Sequence, residues 1–571
     1  MKPRLKISMI LMLILGLIWA TGANAALTVF NGNVPPGFDM LGIIQGATLN
    51  PALQPGTVGA AEDAGGTLTI NGVKMIVPDN TVVQMPANTL KWSELFDPSV
   101  ATKPVYDPSI VPAPVNLTIP AGTTGFALLD NPLQTLGTSP WIPFNAIVQG
   151  NVDVKNDKGF GAGAYIVGLI LPIDQDLAST GVGFINFIDY AKGRFEVGGT
   201  LGVQKTGTII EINDPFGRFG VAHSPDPRFS VDSDNPTVTT GNGYPMGLPR
   251  VAPARGALFP APGELGDPDR PYYNRPLNPA LNAAGHDPFL QVRAPLQAFF
   301  MPAKAAPNAP GVTTPDPWKQ VPLLLGDYIS FSGILCKINP AAALDPATPM
   351  NQQVYISANT VNSDKLAAYT AACPAGTSNC TATVGPAYLT TARMVIGNGG
   401  ANVTVPPNPG LGILGGIIPL PEPRRNIVIH GWCTDSTQLV DIYAVDIIGG
   451  VESPRLLGTV LPEPGFAAGK GNKGRFRFDV GKGSFLPATR VYKVQSRHGT
   501  VSVPNQTGAI KPAAGLLSGQ FHAPMFTFQF ADAAPGFPTM PNNFNTMPFL
   551  SVGEEGNPSD GPLNPFPAFQ P

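Results

Sequence analysis

The 571-residue sequence predicts an all-β, multidomain protein in which small barrel-like units and a C-terminal two-sheet sandwich are joined by Pro/Gly-rich straps. Three observations lead there. Short apolar runs alternate with polar residues at a period of two and stop at Gly, Pro or Asn-Gly breaks. Glycine and proline contribute 65 residues each, far above ordinary globular usage. Helical periodicity is scarce through the first half. Hydrophobic residues make up 43% of the chain, enough for real cores, and the length leaves room for about three or four domains.

Lys2, Arg4 and Lys6 precede an apolar run over 7–20, and Ala23-Asn24-Ala25 places small residues where a signal peptidase cuts. Residues 1–25 are therefore read as a cleaved signal peptide of a bacterial protein, secreted or held at the cell surface. The apolar run is short and lacks a basic flank on its far side, so no integral membrane segment is expected after cleavage. The formal charge of -3 becomes more acidic once the three basic residues leave. Such a chain has no general attraction for nucleic acid or anionic membrane.

The first β-rich domain, 26–139, opens on FDMLGIIQGATL and continues with GGTLTINGVKMIV, whose Asn71-Gly72 pair is a strong two-residue hairpin signal. Residues 89–95 allow a brief helical turn. A second domain, 140–250, begins with FNAIVQGNVDV, which matches IIQGATL in its apolar pair followed by Gln-Gly; segments 27–95 and 140–220 thus read as two related strand sets, either two small barrels or halves of one assembly. At its centre GVGFINFIDYAKGRFEVGG reads as strand, turn and strand. Residues 251–320, rich in Pro, Ala and Gly, read as a structured strap. In a third β-rich domain, 321–424, LLLGDYISF and QVYISA are strands and 363–371 is a short helix. Over 425–535 the runs RRNIVIHGWCTD, QLVDIYAVDI, RLLGTVLP, GRFRFDV and TRVYKVQSRHG recur between Gly/Pro turns, the cadence of a two-sheet sandwich. A Gly/Pro-rich tail, 536–571, follows.

All four cysteines lie in the C-terminal half, and an exported destination permits disulfides. Four cysteines allow three pairings. Cys373 and Cys380 flank a short loop suited to closure, which leaves Cys336 with Cys433.

Catalytic signatures are missing from the sequence. GxSxG, HExxH, CxxCH and a P-loop ending in Lys-Ser/Thr do not occur, and the five histidines are dispersed. For glycoside chemistry, which needs two placed carboxylates, Asp189, Glu211 and Asp214 form the first trio to inspect. The stretch NDPFGRFGVAHSPDPRFSVDSDNP offers Asp214, Asp226, Asp232 and Asp234 as hard oxygen ligands for structural calcium, although the EF-hand ladder is lacking. The competing reading is that these side chains cap turns and pair with arginines. His223 stands alone beside them. Tyr190, Phe216, Arg218 and Phe219 are candidate ligand-binding residues, since exposed aromatics stack on sugars; sheet packing is the competing use.

GTLTINGVKMIVPDNT and GFINFIDYAKGRFEVGG…IEINDPFGRFG resemble the small OB-like β-barrel repeats of uncharacterised exported bacterial proteins. SPDPRF and NGYPMGLPR resemble segments of large secreted bacterial and fungal proteins of unknown function. This resemblance spans 27–250 and implies exported β architecture with no assigned activity; 425–535 looks immunoglobulin-like in a general way. The functional expectation is a non-catalytic secreted structural or cell-surface protein that self-associates through exposed strands or straps. The alternative is an extracellular protein that binds cell-surface polysaccharide or another ligand.

Overall fold

The structure, a computed structural model, describes residues 37–529 except 51–64, 79–80, 98–118, 120–121, 130–142, 157–158, 176–179, 233–234, 255–259, 261–263, 276–296, 302–310, 340–341, 371–385, 406–415, 449–450, 465–472, 480–488, 490, 498–500, 503–516 and 525–527. The signal segment, the C-terminal tail, Asp234, Cys373 and Cys380 lie outside the described residues.

Asn71 and Gly72 take φ of 50° and 78°, the left-handed pair that a type I′ hairpin turn requires. The turn joins β2 (Gly66–Ile70) to β3 (Val73–Val77). Before them runs β1 (Gly37–Leu49); after them come the small hairpin β4 (Val82–Gln84) and β5 (Thr89–Lys91), then β6 (Phe144–Asp153) and β7 (Ala164–Gln175). The chain closes these strands into a ring, β1-β2-β3-β7-β6 and back to β1, with β3 and β7 parallel and the other pairs antiparallel. This five-stranded closed barrel is consistent with an OB-like fold. Alternate residues point inward, so Ile44, Leu68, Ile70, Met75, Phe144, Val148 and Ile170 fill the interior, with Trp92 and Phe126 from the β3–β6 connection.

A second ring follows: β8 (Thr180–Asp189), β9 (Arg194–Val197), β10 (Thr208–Ile212), then, after β11 (Val238–Thr240), β12 (Met246–Gly247), β13 (Gln297–Met301) and β14 (Val321–Pro322), the strands β15 (Tyr328–Lys337) and β16 (Val354–Ser363). Its order, β8-β9-β10-β16-β15 and back to β8, repeats the first ring, again with the third and fifth strands parallel. Even the irregularities recur. The first strand of each barrel bulges against the second, at Ile44/Gly46 and at Ile185/Phe187. The fourth bulges against the fifth, at Gln149/Gly150 and at Ser332/Gly333.

Three sequence expectations change here. FNAIVQGNVDV is the pairing neighbour of IIQGATL within one barrel, Ile43 standing opposite Asn145, so the shared Gln-Gly marks adjacent strands. Each barrel also draws its last two strands from beyond a long connection, so the rings run across the expected divisions at 139/140, 250/251 and 320/321. Finally, 363–371 contains a strand, β17 (Leu366–Thr370), all of whose residues are buried and which pairs in parallel with β13; burial on both faces overrides the local helical tendency.

The remaining strands are β18 (Leu389–Val405), β19 (Gly416–Cys433), β20 (Val440–Ile448), β21 (Val451–Val460), β22 (Arg475–Asp479), β23 (Val491–Ser496), the short pair β24 (Val501–Ser502) and β25 (Leu517–Ser518), β26 (Gln520–Pro524) and β27 (Phe528–Gln529). They make two four-stranded sheets, β22-β19-β18-β27 and β21-β20-β23-β26. Leu389, Met394, Ile429 and Phe476 of one sheet share a core with Ile442, Tyr492, Val494 and Phe521 of the other.

The expected Cys336–Cys433 disulfide is corrected. Cys336 and Cys433 are buried free thiols. Cys336 belongs to the apolar cluster between the two barrels and Cys433 to the sandwich core, so the sulfurs sit in separate packing units. Among the described residues no helix is long and apolar enough to cross a membrane.

Candidate functional site

Residues 213–327, between β10 and β15, hold the Asp-rich stretch, and here the carboxylates turn to the protein's own donors. Asp214 accepts from the backbone N–H groups of Phe216 at 3.1 Å and Phe219 at 2.7 Å. Asp226 caps the 3-10 turn Pro227–Phe229 through the Arg228 N–H and grips the Arg228 guanidinium at 2.9 and 2.6 Å. Asp232 takes both the N–H and the side-chain amide of Asn235 at 3.0 Å. These three residues serve three different turns, and no cluster of three or more His, Cys, Asp or Glu arranged to hold a metal occurs among the described residues.

The aromatic candidates are likewise dispersed. Phe219 is fully buried in the second barrel's core, with the buried Arg218 guanidinium 5.1 Å from its ring centre and bonded to the Asp232 carbonyl. Phe216 is half-buried. Tyr190 packs against the same core, and burial pushes its phenol up to about 12.

What the insert does bring together is the three β modules. Arg228, with no solvent exposure, donates through Nη1 to the carbonyls of Leu95 and Thr124 in the first barrel. Asn88 of that barrel donates to the Ser230 carbonyl at 3.2 Å. Asn235 exchanges hydrogen bonds with the backbone of His522 in the sandwich, accepting from its N–H at 2.8 Å. Further along, Arg275 forks onto Asp327, and Arg270 reaches Asp267 and Gln320, all buried. A chain that buries so many charged side chains must satisfy each one, and satisfying them ties segments far apart in sequence.

A different constellation faces outward on the second barrel. Arg194 and Glu211 stand opposite each other on β9 and β10, because alternation turns Phe195, Ile210 and Ile212 inward and these two out. Glu211 is 2% exposed, and one oxygen lies 2.5 Å from Arg194 Nε while the other lies 2.8 Å from His223 Nε2. His223 also reaches the Tyr355 hydroxyl at 3.0 Å, and Tyr355 bonds Cys336 across the β15–β16 pair. Burial, with the neighbouring thiol and carboxylate, pushes the Tyr355 phenol far up, and burial does the same to the Cys336 thiol, so both stay neutral. Side chains of Arg194 and His223 keep 26% and 34% of their surface in solvent.

Sequence reasoning named Glu211 and His223 separately. The signal for Arg194 was present in the opposite-charge pair that a GRFEV/TIIEI hairpin creates. Nothing local pointed to Tyr355, which lies 132 residues from His223. No protein-family model, curated protein or solved structure matches the chain.

Proposed function

We propose that this is a non-catalytic exported protein with a structural or cell-surface role, a rigid scaffold of two OB-like barrels and an immunoglobulin-like sandwich. The reading rests on the clamp at 226–235, where Arg228 and Asn235 bond one barrel's insert to the other barrel and to the sandwich. Rigid coupling of successive β modules suits a load-bearing or spacing component. The immunoglobulin-like assignment draws support from strand order: β18, β19 and β22 share one sheet while β20, β21, β23 and β26 form the other. Export draws on the N-terminal basic, apolar and Ala-Asn-Ala sequence. Expression of the full chain in a bacterial host tests it. A mature chain starting at Ala26 outside the inner membrane, compact by small-angle scattering, is expected; retention in the cytoplasm with Met1 intact, or scattering from independently moving modules, overturns it.

A second reading, an extracellular ligand-binding protein, is favoured by the outward cluster on the second barrel. There a buried carboxylate braces two half-exposed nitrogen-bearing side chains.

A further inference from the structure

Arg194 and His223 share a single brace. The two oxygens of Glu211 lie 2.5 Å from Arg194 Nε and 2.8 Å from His223 Nε2, ion-pair contacts that hold both side chains to one buried carboxylate. Among the described residues the Arg194 side chain has no ion-pair partner besides Glu211, and it keeps 26% of its surface in solvent. His223 Nε2 lies 2.8 Å from a Glu211 oxygen and 3.0 Å from the Tyr355 hydroxyl, so Nδ1 is the ring nitrogen left for a ligand, and in the tautomer that turns the Nε2 proton to the carboxylate Nδ1 is an acceptor. The nearby rim charges, Asp189 and Lys192, pair with each other at 3.3 Å.

The site thus presents a planar cationic fork beside an imidazole nitrogen. We propose that it binds a hydroxy acid, the carboxylate on the Arg194 fork and an adjacent hydroxyl donating to His223 Nδ1. A uronic acid unit of an acidic saccharide and a free small hydroxy acid share this chemistry. A plain carboxylate satisfies half of the site, and a neutral sugar satisfies the other half. Glu211 is a positioning residue, acting through the two side chains it holds. This inference rests on the ligand-binding reading and narrows it.

The test is isothermal titration of the mature chain at low salt with glucuronate, an oligoglucuronate, lactate, acetate and methyl glucoside. Glucuronate and lactate are expected to bind more tightly than acetate or methyl glucoside; preference for the oligomer identifies the saccharide as the source, and parity with lactate the free acid. Arg194→Gln should weaken glucuronate about tenfold or more, the loss of a charged hydrogen-bond pair. His223→Phe should reduce glucuronate to the acetate level, with circular dichroism confirming that each variant is folded. Methyl glucoside binding as well as glucuronate, or folded Arg194→Gln binding unchanged, overturns the proposal while leaving ligand binding intact. Absence of heat with every compound and with neutral polysaccharides removes both.

Discussion

Asp226 takes both Nε and Nη2 of Arg228, at 2.9 and 2.6 Å, with neither side chain reached by solvent. Two residues apart in sequence, they make a buried fork whose remaining guanidinium nitrogen crosses to the first barrel. Removing one member strands the other, which for buried pairs costs about 3–5 kcal/mol. Arg228→Met should therefore lower the urea midpoint sharply and separate the unfolding of the first barrel from the rest. Arg228→Met with Asp226→Asn should recover part of the loss, because no charge is left unpaired. A single variant with an unchanged midpoint would show that the clamp does not couple the modules.

Gly150 and Gly333 occupy the same bulge in the two barrels, each facing a carbonyl of the fifth strand. A Cβ at Gly150 would lie 2.1 Å from the Ile166 oxygen, and one at Gly333 would lie 2.1 Å from the Ser357 oxygen. Backbone cannot yield as a side chain does, so Gly150→Ala and Gly333→Ala should each cost about 1–3 kcal/mol. Gly46→Ala is the control, since its nearest contact would be an ordinary 3.6 Å from Leu129. Thermal unfolding that ranks Gly46→Ala with the other two contradicts the shared bulge geometry.

The thiols of Cys336 and Cys433 are buried, and burial pushes both well above the ordinary thiol range. Thiolate is the reactive form, so neither should be alkylated by iodoacetamide in the native protein at neutral pH, and both should be labelled once guanidinium unfolds the chain. Peptide mass spectrometry reads each cysteine separately. A peptide linking Cys336 to Cys433 in an unreduced digest would falsify their placement in separate cores.

Part of this architecture was legible locally. Asn71-Gly72 announces its turn, and the strands of the two C-terminal sheets announce theirs through Ile427, Ile429, Ile442 and Val494, because a period of two is written into neighbouring residues. Barrel closure was not legible, since β10 meets β16 across more than a hundred residues and nothing within either strand names its partner. The Asp-rich stretch showed its turn chemistry but not its reach: that Asn235 would meet His522 depends on the docking of two modules. Glu211 was visible as a carboxylate, while its role as a brace needed the hairpin that sets Arg194 opposite and the loop that returns His223. The cysteines misled because spacing speaks of loop closure, whereas bonding depends on which core each sulfur enters.

Asp267 supplies a pH dependence whose sign follows from its partners. Burial alone raises its carboxyl, but hydrogen bonds from Arg250, the charge of Arg270 and the N–H groups of Asp269 and Arg250 outweigh burial and hold it well below the usual carboxylate range. A depressed carboxyl contributes stability that is present above its unfolded value of about 3.9 and lost as pH falls toward the folded one. The denaturant midpoint should thus decline below about pH 4. In Asp267→Asn the stability at neutral pH should be lower and its decline between pH 5 and pH 2.5 shallower than in the parent. A parallel decline in both proteins rules Asp267 out as a contributor.

The outer edge of the sandwich bears on self-association. β21 is ten residues long, pairs only with β20 among the described strands, and exposes Val451 and Leu456 at 68% and 55%. Such a strand is a template for a second chain. Pro454 stands exposed in its middle, opposite Val445 of β20, and has no N–H to offer an incoming strand. The edge therefore carries its own block. Pro454→Val should restore the donor and raise β propensity at one step, giving light-scattering masses that grow with concentration where those of the parent do not. If the parent already assembles and Pro454→Val leaves its assembly unchanged, the contact runs through another surface and β21 is not its guard.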